Sequence, residues 1–159
     1  MTLKTVRFVA LFLAAVGFGL TLAHALEARG ERALTGAEWL AVQHNYYGGF
    51  AIVGGIAEVG GLIATLVILY LVRHRRALAL WTLIAALGPL AMLIFYFIGN
   101  APLNARIASW TAATLPTGWE QTRDAWSNWH TASAVAACVW LVILLVTTLR
   151  DTRAKGAGE

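Results

Sequence analysis

The sequence is poor in cysteine and in charge. Cys138 is the only cysteine among 159 residues, so an internal disulfide and the redox chemistry of paired cysteines are excluded. Charged residues make up 13% of the chain, whereas soluble domains carry about 25%. Hydrophobic residues reach 59%, with a mean hydropathy of +0.68. This balance excludes an ordinary soluble domain and indicates a protein whose main partner is the lipid bilayer.

Four long apolar runs account for most of the hydrophobic residues. They cover residues 8–25, 50–72, 77–98 and 131–149, and each has about the 17 to 25 residues that cross a bilayer as a helix. In lipid the backbone must satisfy its own hydrogen bonds, which favours helices over isolated strands. The sequence therefore predicts one all-α membrane domain over residues 1–159, folded as a four-helix bundle.

The basic residues lie at the ends of these runs. Eight of them fall on one side: Lys4, Arg7, Arg73, Arg75, Arg76, Arg150, Arg153 and Lys155. The positive-inside rule then places both termini in the cytoplasm. Basic residues in this pattern report orientation, so no nucleic-acid partner is predicted. The small, charged segment 150–159 is expected to fray.

The N-terminus permits a second interpretation. Lys4 and Arg7, an apolar run and then Ala23-His24-Ala25 also outline a cleavable secretory signal. The run at 8–25 is longer than a signal core of about 7 to 15 residues, which favours a membrane span.

Two tetrapeptides predict where helices begin. Thr35-Gly36-Ala37-Glu38 and Thr117-Gly118-Trp119-Glu120 both fit the capping box, in which Thr and Glu side chains satisfy free backbone amides. The second and fourth helices are thus expected to start near Gly36 and Gly118. Each would run continuously for roughly ten residues, about 15 Å, outside the membrane before entering it.

The segment after the third run is expected to form a short interfacial helix. Asn100 can cap it, and Pro102 is tolerated in a first turn. Leu103, Ile107 and Trp110 would share its apolar face. Such a helix would cover the outer ends of the spans.

One face of the second helix combines small and polar residues. This stripe consists of His44, Tyr47, Gly48, Ala51, Gly55, Glu58, Leu62 and Thr65. Small residues allow close approach of a neighbouring helix, so the glycines are assigned to helix packing.

The topology brings chemically useful side chains to the outer side. Among them, His130 or Glu58 could act as a base near neutral pH, and Asn104 with Arg106 could stabilise an oxyanion. Glu58 lies within a span, where carboxylates usually find a partner and mark a functional path. We expect that partner to be His130, His24 or Tyr96, with local packing of the protonated acid as the alternative.

A metal site is a further hypothesis. His24 and Glu27 are three residues apart on one helix face, and with His130 and Glu58 they could hold iron, manganese, copper or zinc. His24 and His130 could alternatively flank a haem. The plainest alternative is that His24 and Glu27 only form hydrogen bonds at the interface and that no metal binds.

Five tryptophans crowd the same side: Trp39, Trp110, Trp119, Trp126 and Trp129. An aromatic belt at headgroup depth explains most of them. Trp126, one turn before His130, is also a candidate for binding a flat ligand or cofactor in an apolar pocket, together with His44 and Tyr47.

The linked motifs resemble a known family. "HALEARGERALTGAEWLAVQHNYYGGF" and "NAPLNARIASWTAATLPTGWEQTRDAWSNWHTASA" are similar to bacterial membrane proteins grouped with the anthrone oxygenases of polyketide pathways. The resemblance implies a four-helix protein of a bacterial inner membrane. It also implies an oxygenase in which a phenolic tricyclic carbanion reacts with dioxygen to give a quinone. Ala28-Arg29-Gly30 after Glu27 replaces the Leu-Pro of many relatives, which places this chain nearer the uncharacterised bacterial members.

Two functions follow from these observations. The first is a small membrane oxidoreductase or oxygenase that acts on an apolar or phenolic molecule. The second is a noncatalytic membrane module, either a proton-coupled carrier that uses Glu58 or an accessory subunit.

Overall fold

The computed structural model describes residues 2–156, and every regular element in that range is helical. The helices are α1 (Leu3–Glu31), α2 (Gly36–Tyr46), α3 (Gly48–Val72), α4 (Arg76–Phe95), α5 (Ala101–Ala108) and α6 (Trp119–Gly156), and a π-helical turn, Tyr96–Asn100, joins α4 to α5. Four stretches are long and apolar enough to cross a membrane: Leu3–Glu31, Gly48–Val72, Arg76–Ala108 and Trp119–Asp151. The predicted four-span integral membrane bundle is confirmed.

The bundle has two unlike halves. The terminal half holds the start of α1, the α3–α4 turn and the end of α6. The cap half holds the other ends of the spans, covered by what we call the cap: α2, α5 and the connection 109–118. Large apolar side chains on the outside of all four spans are exposed, as expected for surfaces that face lipid.

The terminal half is packed around Trp140. This indole is fully buried and donates a hydrogen bond of 3.1 Å to the Thr65 hydroxyl. Gly61 and Gly88 give it room, because a Cβ at either position would collide with the Trp140 side chain. Small residues thus bring α3, α4 and α6 close together.

An ion cluster closes the terminal half. Arg7 donates a 2.7 Å hydrogen bond to Asp151, and Arg75 also donates to this carboxylate. The cluster joins the ends of α1 and α6 to the turn before α4. The expectation of a frayed segment is wrong for residues 150–156, which continue α6, because Asp151 is held by two arginines; residues 157–159 lie outside the described residues.

The first capping box is confirmed at α2. Thr35 accepts a hydrogen bond from the Glu38 amide, and the Glu38 carboxylate accepts one from the Thr35 amide at 2.8 Å. The hydrogen bonds that the Thr35 hydroxyl, at 2.7 Å, and the Thr35 amide donate to the Glu38 carboxylate hold the pKa of this exposed group below its ordinary value.

The expected continuous second helix is wrong. α2 ends at Tyr46, and Tyr47, with φ −93° and ψ −2°, separates it from α3. Gly48 and Gly49 follow directly, and glycine is a weak helix former. The break lets α2 lie against α5 within the cap, where His44 Nε2 is 3.2 Å from the Ile107 carbonyl oxygen.

The second capping box does not form. Gly118 has a φ of +80°, which is incompatible with the first turn of a right-handed helix. α6 therefore begins at Trp119, and the described side chains of Thr117 and Glu120 make no hydrogen bond to each other.

Asn100 also departs from its expected role. It has helical backbone angles and makes no side-chain cap, because the π-turn carries the helix through it. Its amide instead donates 3.2 Å to the Trp126 carbonyl oxygen. Leu103, Ile107 and Trp110 do share a face, as predicted, and pack in the apolar cluster of the cap.

Candidate functional site

A cavity of about 380 Å³ lies in the cap half, between the four spans and beneath α2 and α5. This volume is within the range of about 300 to 1,000 Å³ that small-molecule sites occupy. Aromatic and aliphatic side chains form most of its wall. The polar side chains on the wall are those of Thr21, His24, Gln43, His44, Tyr47, Glu58, Tyr96, Asn100, Asn104, His130 and Ser133.

Two imidazoles from opposite helices meet in this wall. The ring centroids of His24 on α1 and His130 on α6 are 4.3 Å apart. His24 is 4% exposed, and its Nδ1 is buried without a hydrogen-bond partner. At this separation two protonated rings would repel each other, so the two imidazoles are not both protonated at the same time.

Aromatic rings surround the imidazole pair. Trp126 contacts both rings, with centroids 5.0 Å from His24 and 4.2 Å from His130. Phe50 and Tyr47 complete the enclosure on the α3 side, 4.9 Å and 4.6 Å from His24. Such faces favour a flat, apolar ligand. Trp126 lines the cavity, as predicted, whereas the belt interpretation is wrong for Trp39, which is buried within the cap.

Asn104 fixes the orientation of Trp126. Its Oδ1 accepts a 2.8 Å hydrogen bond from the indole N–H. With that oxygen engaged, the Nδ2 group of Asn104 is the donor left to face a ligand. The amide therefore combines a positioning contact with a donor at the cavity wall.

Glu31 is a buried acid that the sequence analysis missed. It is 4% exposed at the end of α1, and its Oε1 lies 2.9 Å from the Tyr47 hydroxyl. Ser127 and Gln43 each approach its carboxylate at 3.5 Å. The spacing of residues 24, 27 and 31, which is one helical face, is the signal that would have found it.

The Tyr47 hydroxyl links two carboxyl groups. Its oxygen lies 3.0 Å from Glu27 and 2.9 Å from Glu31, yet a phenol has a single proton to donate. Both contacts are hydrogen bonds only when one carboxyl group carries a proton and donates it back. Burial, and secondarily the charge of Glu31, raise the pKa of the Tyr47 phenol. The phenol therefore stays neutral.

The carboxylate of Glu27, which contacts the Tyr47 hydroxyl, also lies close to the imidazole pair. Glu27 Oε2 is 3.5 Å from His24 Nδ1, and the Glu27 side chain is 45% exposed. A proton held by His24 thus lies one small movement away from a carboxylate that reaches the surface of the protein.

Glu58 stands alone on the cavity wall. It is partly buried, and among the described residues no side chain forms a hydrogen bond or ion pair with it. His24, His130 and Tyr96, its expected partners, line the same cavity but leave the carboxyl group unpaired. The part of the α3 stripe nearest the cap is also unpacked, because Gly48 and Gly55 have no neighbour within 4 Å of an added Cβ. Their assignment to helix packing is wrong, whereas Thr65 at the other end of the stripe is buried against Trp140.

Arg106 is not brought to this site. It is exposed and lines a shallow depression elsewhere in the cap, beside Trp110 and Trp119. The side chain projects from the opposite face of α5 to Asn104, so its predicted role beside Asn104 has no support in the geometry.

The four-residue metal set is not assembled. Within residues 2–156, no three His, Cys, Asp or Glu side chains are grouped closely enough to hold a metal ion. The Glu27 carboxylate accepts a hydrogen bond from Tyr47, and Glu58 does not form a group with His24, Glu27 or His130. A haem between the imidazoles is also wrong, because rings in direct contact leave no space for a porphyrin.

Comparisons of the chain with protein-family models, curated proteins and solved structures find no match. The resemblance to the anthrone oxygenases stays a prediction, and the function has to be argued from the cavity.

Proposed function

We propose that this protein is a small membrane oxidoreductase of the oxygenase type that acts on an apolar or phenolic molecule bound in the cavity of the cap half. The observation that carries the proposal is the His24–His130 pair, which places two proton-accepting nitrogens inside an aromatic enclosure. The resemblance of the sequence to the anthrone oxygenases supports the same chemistry.

The proposed reaction begins with proton transfer. A ring CH₂ flanked by aromatic groups gives up a proton to His130, and His24, next to Glu27, shares the resulting charge. Asn104 Nδ2 donates to the oxygen on which negative charge develops. These roles use contacts in the cavity and require no bound metal at the four residues of the earlier hypothesis.

Dioxygen is the oxidant in this scheme. It adds to the deprotonated carbon, and the peroxide formed recovers the proton from His130. Loss of water, which removes the second hydrogen of the CH₂ group, leaves a carbonyl. One oxygen atom ends in the product and the other in water, so atoms and electrons balance.

The orientation is part of the proposal. The basic side chains of the terminal half, including Arg7 and Arg75 of the ion cluster, place both termini in the cytoplasm by the positive-inside rule. The cavity then lies in the outer leaflet of a bacterial inner membrane.

The test is oxygen uptake by the detergent-purified protein with an anthrone as substrate. We expect His130→Gln to lower the rate about 10²-fold to 10⁴-fold, the usual contribution of a general base. His74→Gln is the matched control, because His74 is exposed at the α3–α4 turn. Equal rates for wild type and His130→Gln would exclude His130 as the base.

A second candidate function rests on Glu58. An unpaired carboxyl group on a cavity wall within a span also suits a proton-coupled carrier or an accessory module. Glu58→Gln would then abolish proton-linked movement of a substrate, while the wild-type protein would consume no oxygen. Asp151, an acid at the opposite end of the bundle, does not serve a carrier path, because two arginines hold it.

A further inference from the structure

We propose that the cavity opens sideways into the lipid, through a slot between α3 and the segment formed by α4 and the π-turn, and that its ligand enters from the bilayer as a lipid-dissolved aromatic hydroxyl compound. This inference deepens the proposed function, since it takes the same cavity as the site and names the class and route of its ligand.

The exposure of the wall locates the slot. On the α1 and α6 sides, the residues that line the cavity are buried or partly buried. The exposed lining residues are Gly48, Ala51, Gly55 and Val59 on α3 and Phe97 in the π-turn, with His44 and Ala108 in the cap. Two helices therefore close the cavity and the other two leave it open.

The slot runs along the span. From Gly48 to Val59, α3 advances about 16 Å, which is roughly half the thickness of a hydrocarbon core of about 30 Å. Val59 is 48% and Phe97 68% exposed, so apolar side chains form both edges. An opening at this depth with apolar edges faces acyl chains.

Helix packing explains why the slot exists. The buried residues of α3 are Ala57, Gly61, Ala64, Thr65, Ile68 and Val72, which lie in its central and terminal parts. Toward the cap, Gly48 and Gly55 place no side chain between the helices. The π-turn begins on the facing helix at Tyr96, and such turns often occur at functional sites.

The interior shows that the slot leads to a ligand site. His24 is more than nine-tenths buried on the cavity wall, and its Nδ1 makes no hydrogen bond among the described residues; the neighbouring Glu27 Oε2 lies 3.5 Å away. A buried polar atom without a partner is costly unless a ligand or water satisfies it. The rings of Trp126, Phe50 and Tyr47 around it favour a flat aromatic body, and the imidazoles favour a hydroxyl group. A saturated acyl chain would satisfy neither.

The test compares two probes on protein in phosphatidylcholine nanodiscs. Naphthol partitions into the bilayer, whereas a naphthol disulfonate, with the same aromatic hydroxyl, stays in water. Binding is followed by quenching of tryptophan fluorescence in stopped flow, because Trp126 lies in the wall. We expect naphthol to bind and the disulfonate not to bind.

Gly55→Leu tests the route. An added Cβ at Gly55 meets no atom within 4 Å, and the rest of the leucine side chain narrows the slot. We expect association of naphthol at least about fivefold slower. Gly19→Leu is the matched control, because Gly19 is exposed on α1, also has no neighbour within 4 Å, and lies away from the cavity.

The outcomes separate the two proposals. Equal association rates for Gly55→Leu and Gly19→Leu, or binding of the disulfonate as fast as that of naphthol, would overturn the lateral route. Quenching that persists undiminished in His24→Phe would overturn the role of the imidazole in binding a hydroxyl group. If His130→Gln does not slow oxygen uptake, the proposed catalytic role of His130 is overturned. The lateral route and the binding of a hydroxyl group by His24 would still stand.

Discussion

The two halves of the bundle use the same kinds of residue for opposite purposes. In the terminal half, Gly61 and Gly88 admit Trp140, and Asp151 is paired with Arg7 and Arg75. In the cap half, an added Cβ at Gly55 would have no neighbour within 4 Å, and among the described residues no side chain forms a hydrogen bond or ion pair with Glu58. Gly61, Gly88 and Asp151 thus stabilise helix contacts, whereas Gly55 and Glu58 border a cavity.

The difference indicates that the helix contacts that stabilise the bundle and the cavity that can bind a ligand lie in different halves of the molecule. The apolar core of the terminal half has members on all four spans, so its contacts join them. The cap half instead retains a buried imidazole nitrogen without a hydrogen bond and an open wall, features that cost stability and are typical of functional sites.

Matched substitutions of the two acids compare a paired carboxyl group with an unpaired one. Asp151→Asn should destabilise the protein by about 2 kcal/mol, below the range of about 3 to 5 kcal/mol for fully buried pairs, because Arg75 is 46% exposed. Glu58→Gln should change the free energy of unfolding by less than about 0.5 kcal/mol, the usual size for a residue without partners. Denaturant unfolding in detergent measures both, and equal losses would contradict the comparison.

Matched substitutions of two glycines give effects of opposite sign. In Gly88→Ala the new Cβ would lie 2.5 Å from Trp140 Cβ and 3.0 Å from the Ala136 carbonyl oxygen, so we expect a loss of about 1 to 3 kcal/mol from overpacking. Gly55→Ala meets no atom, and the better helix propensity of alanine should stabilise α3 by up to about 1 kcal/mol. Thermal unfolding by circular dichroism gives both signs, and a destabilised Gly55→Ala would show that this glycine is packed.

The smallest expected effect is confined to the cap. The pKa of Glu38 is depressed in the folded protein, so its charge stabilises α2 fully above the ordinary glutamate value, and this contribution is lost as the pH falls through the folded pKa. Glu38→Gln keeps the capping geometry without the charge.

Amide exchange of α2 in wild type and Glu38→Gln provides the measurement. The variant should exchange faster near neutral pH, and the two proteins should converge in acid. Exchange in the terminal half should be the same in both. A difference that extends to the residues around Trp140 would mean that the cap and the bundle unfold as one unit.

Much of the architecture follows from local sequence features. The four spans follow from the length of the apolar runs, and the α2 start follows from Thr35 and Glu38. The meeting of His24 and His130 also follows, because alternating spans bring the end of the first and the start of the fourth to one side.

Other features escaped prediction for identifiable physical reasons. The break at Tyr47 depends on α2 finding contacts with α5 that outweigh continuing a helix through Gly48 and Gly49. The burial of Trp39 depends on the packing of α2 against α5 and against the start of α6. Asn104 and Arg106 are two polar residues of the same short helix, and the sequence does not distinguish their directions. Only the rotation of α5 about its axis turns Asn104 toward the cavity and Arg106 away from it.

By itself, the sequence determined that this protein lies in a membrane and crosses it four times, because hydropathy and length act on each segment separately. The tertiary structure alone decided which acid is paired and which is left open. Asp151 and Glu58 are both carboxyl groups on apolar helices. Their difference arises from the side chains that neighbouring helices bring to them, and those helices are distant in sequence.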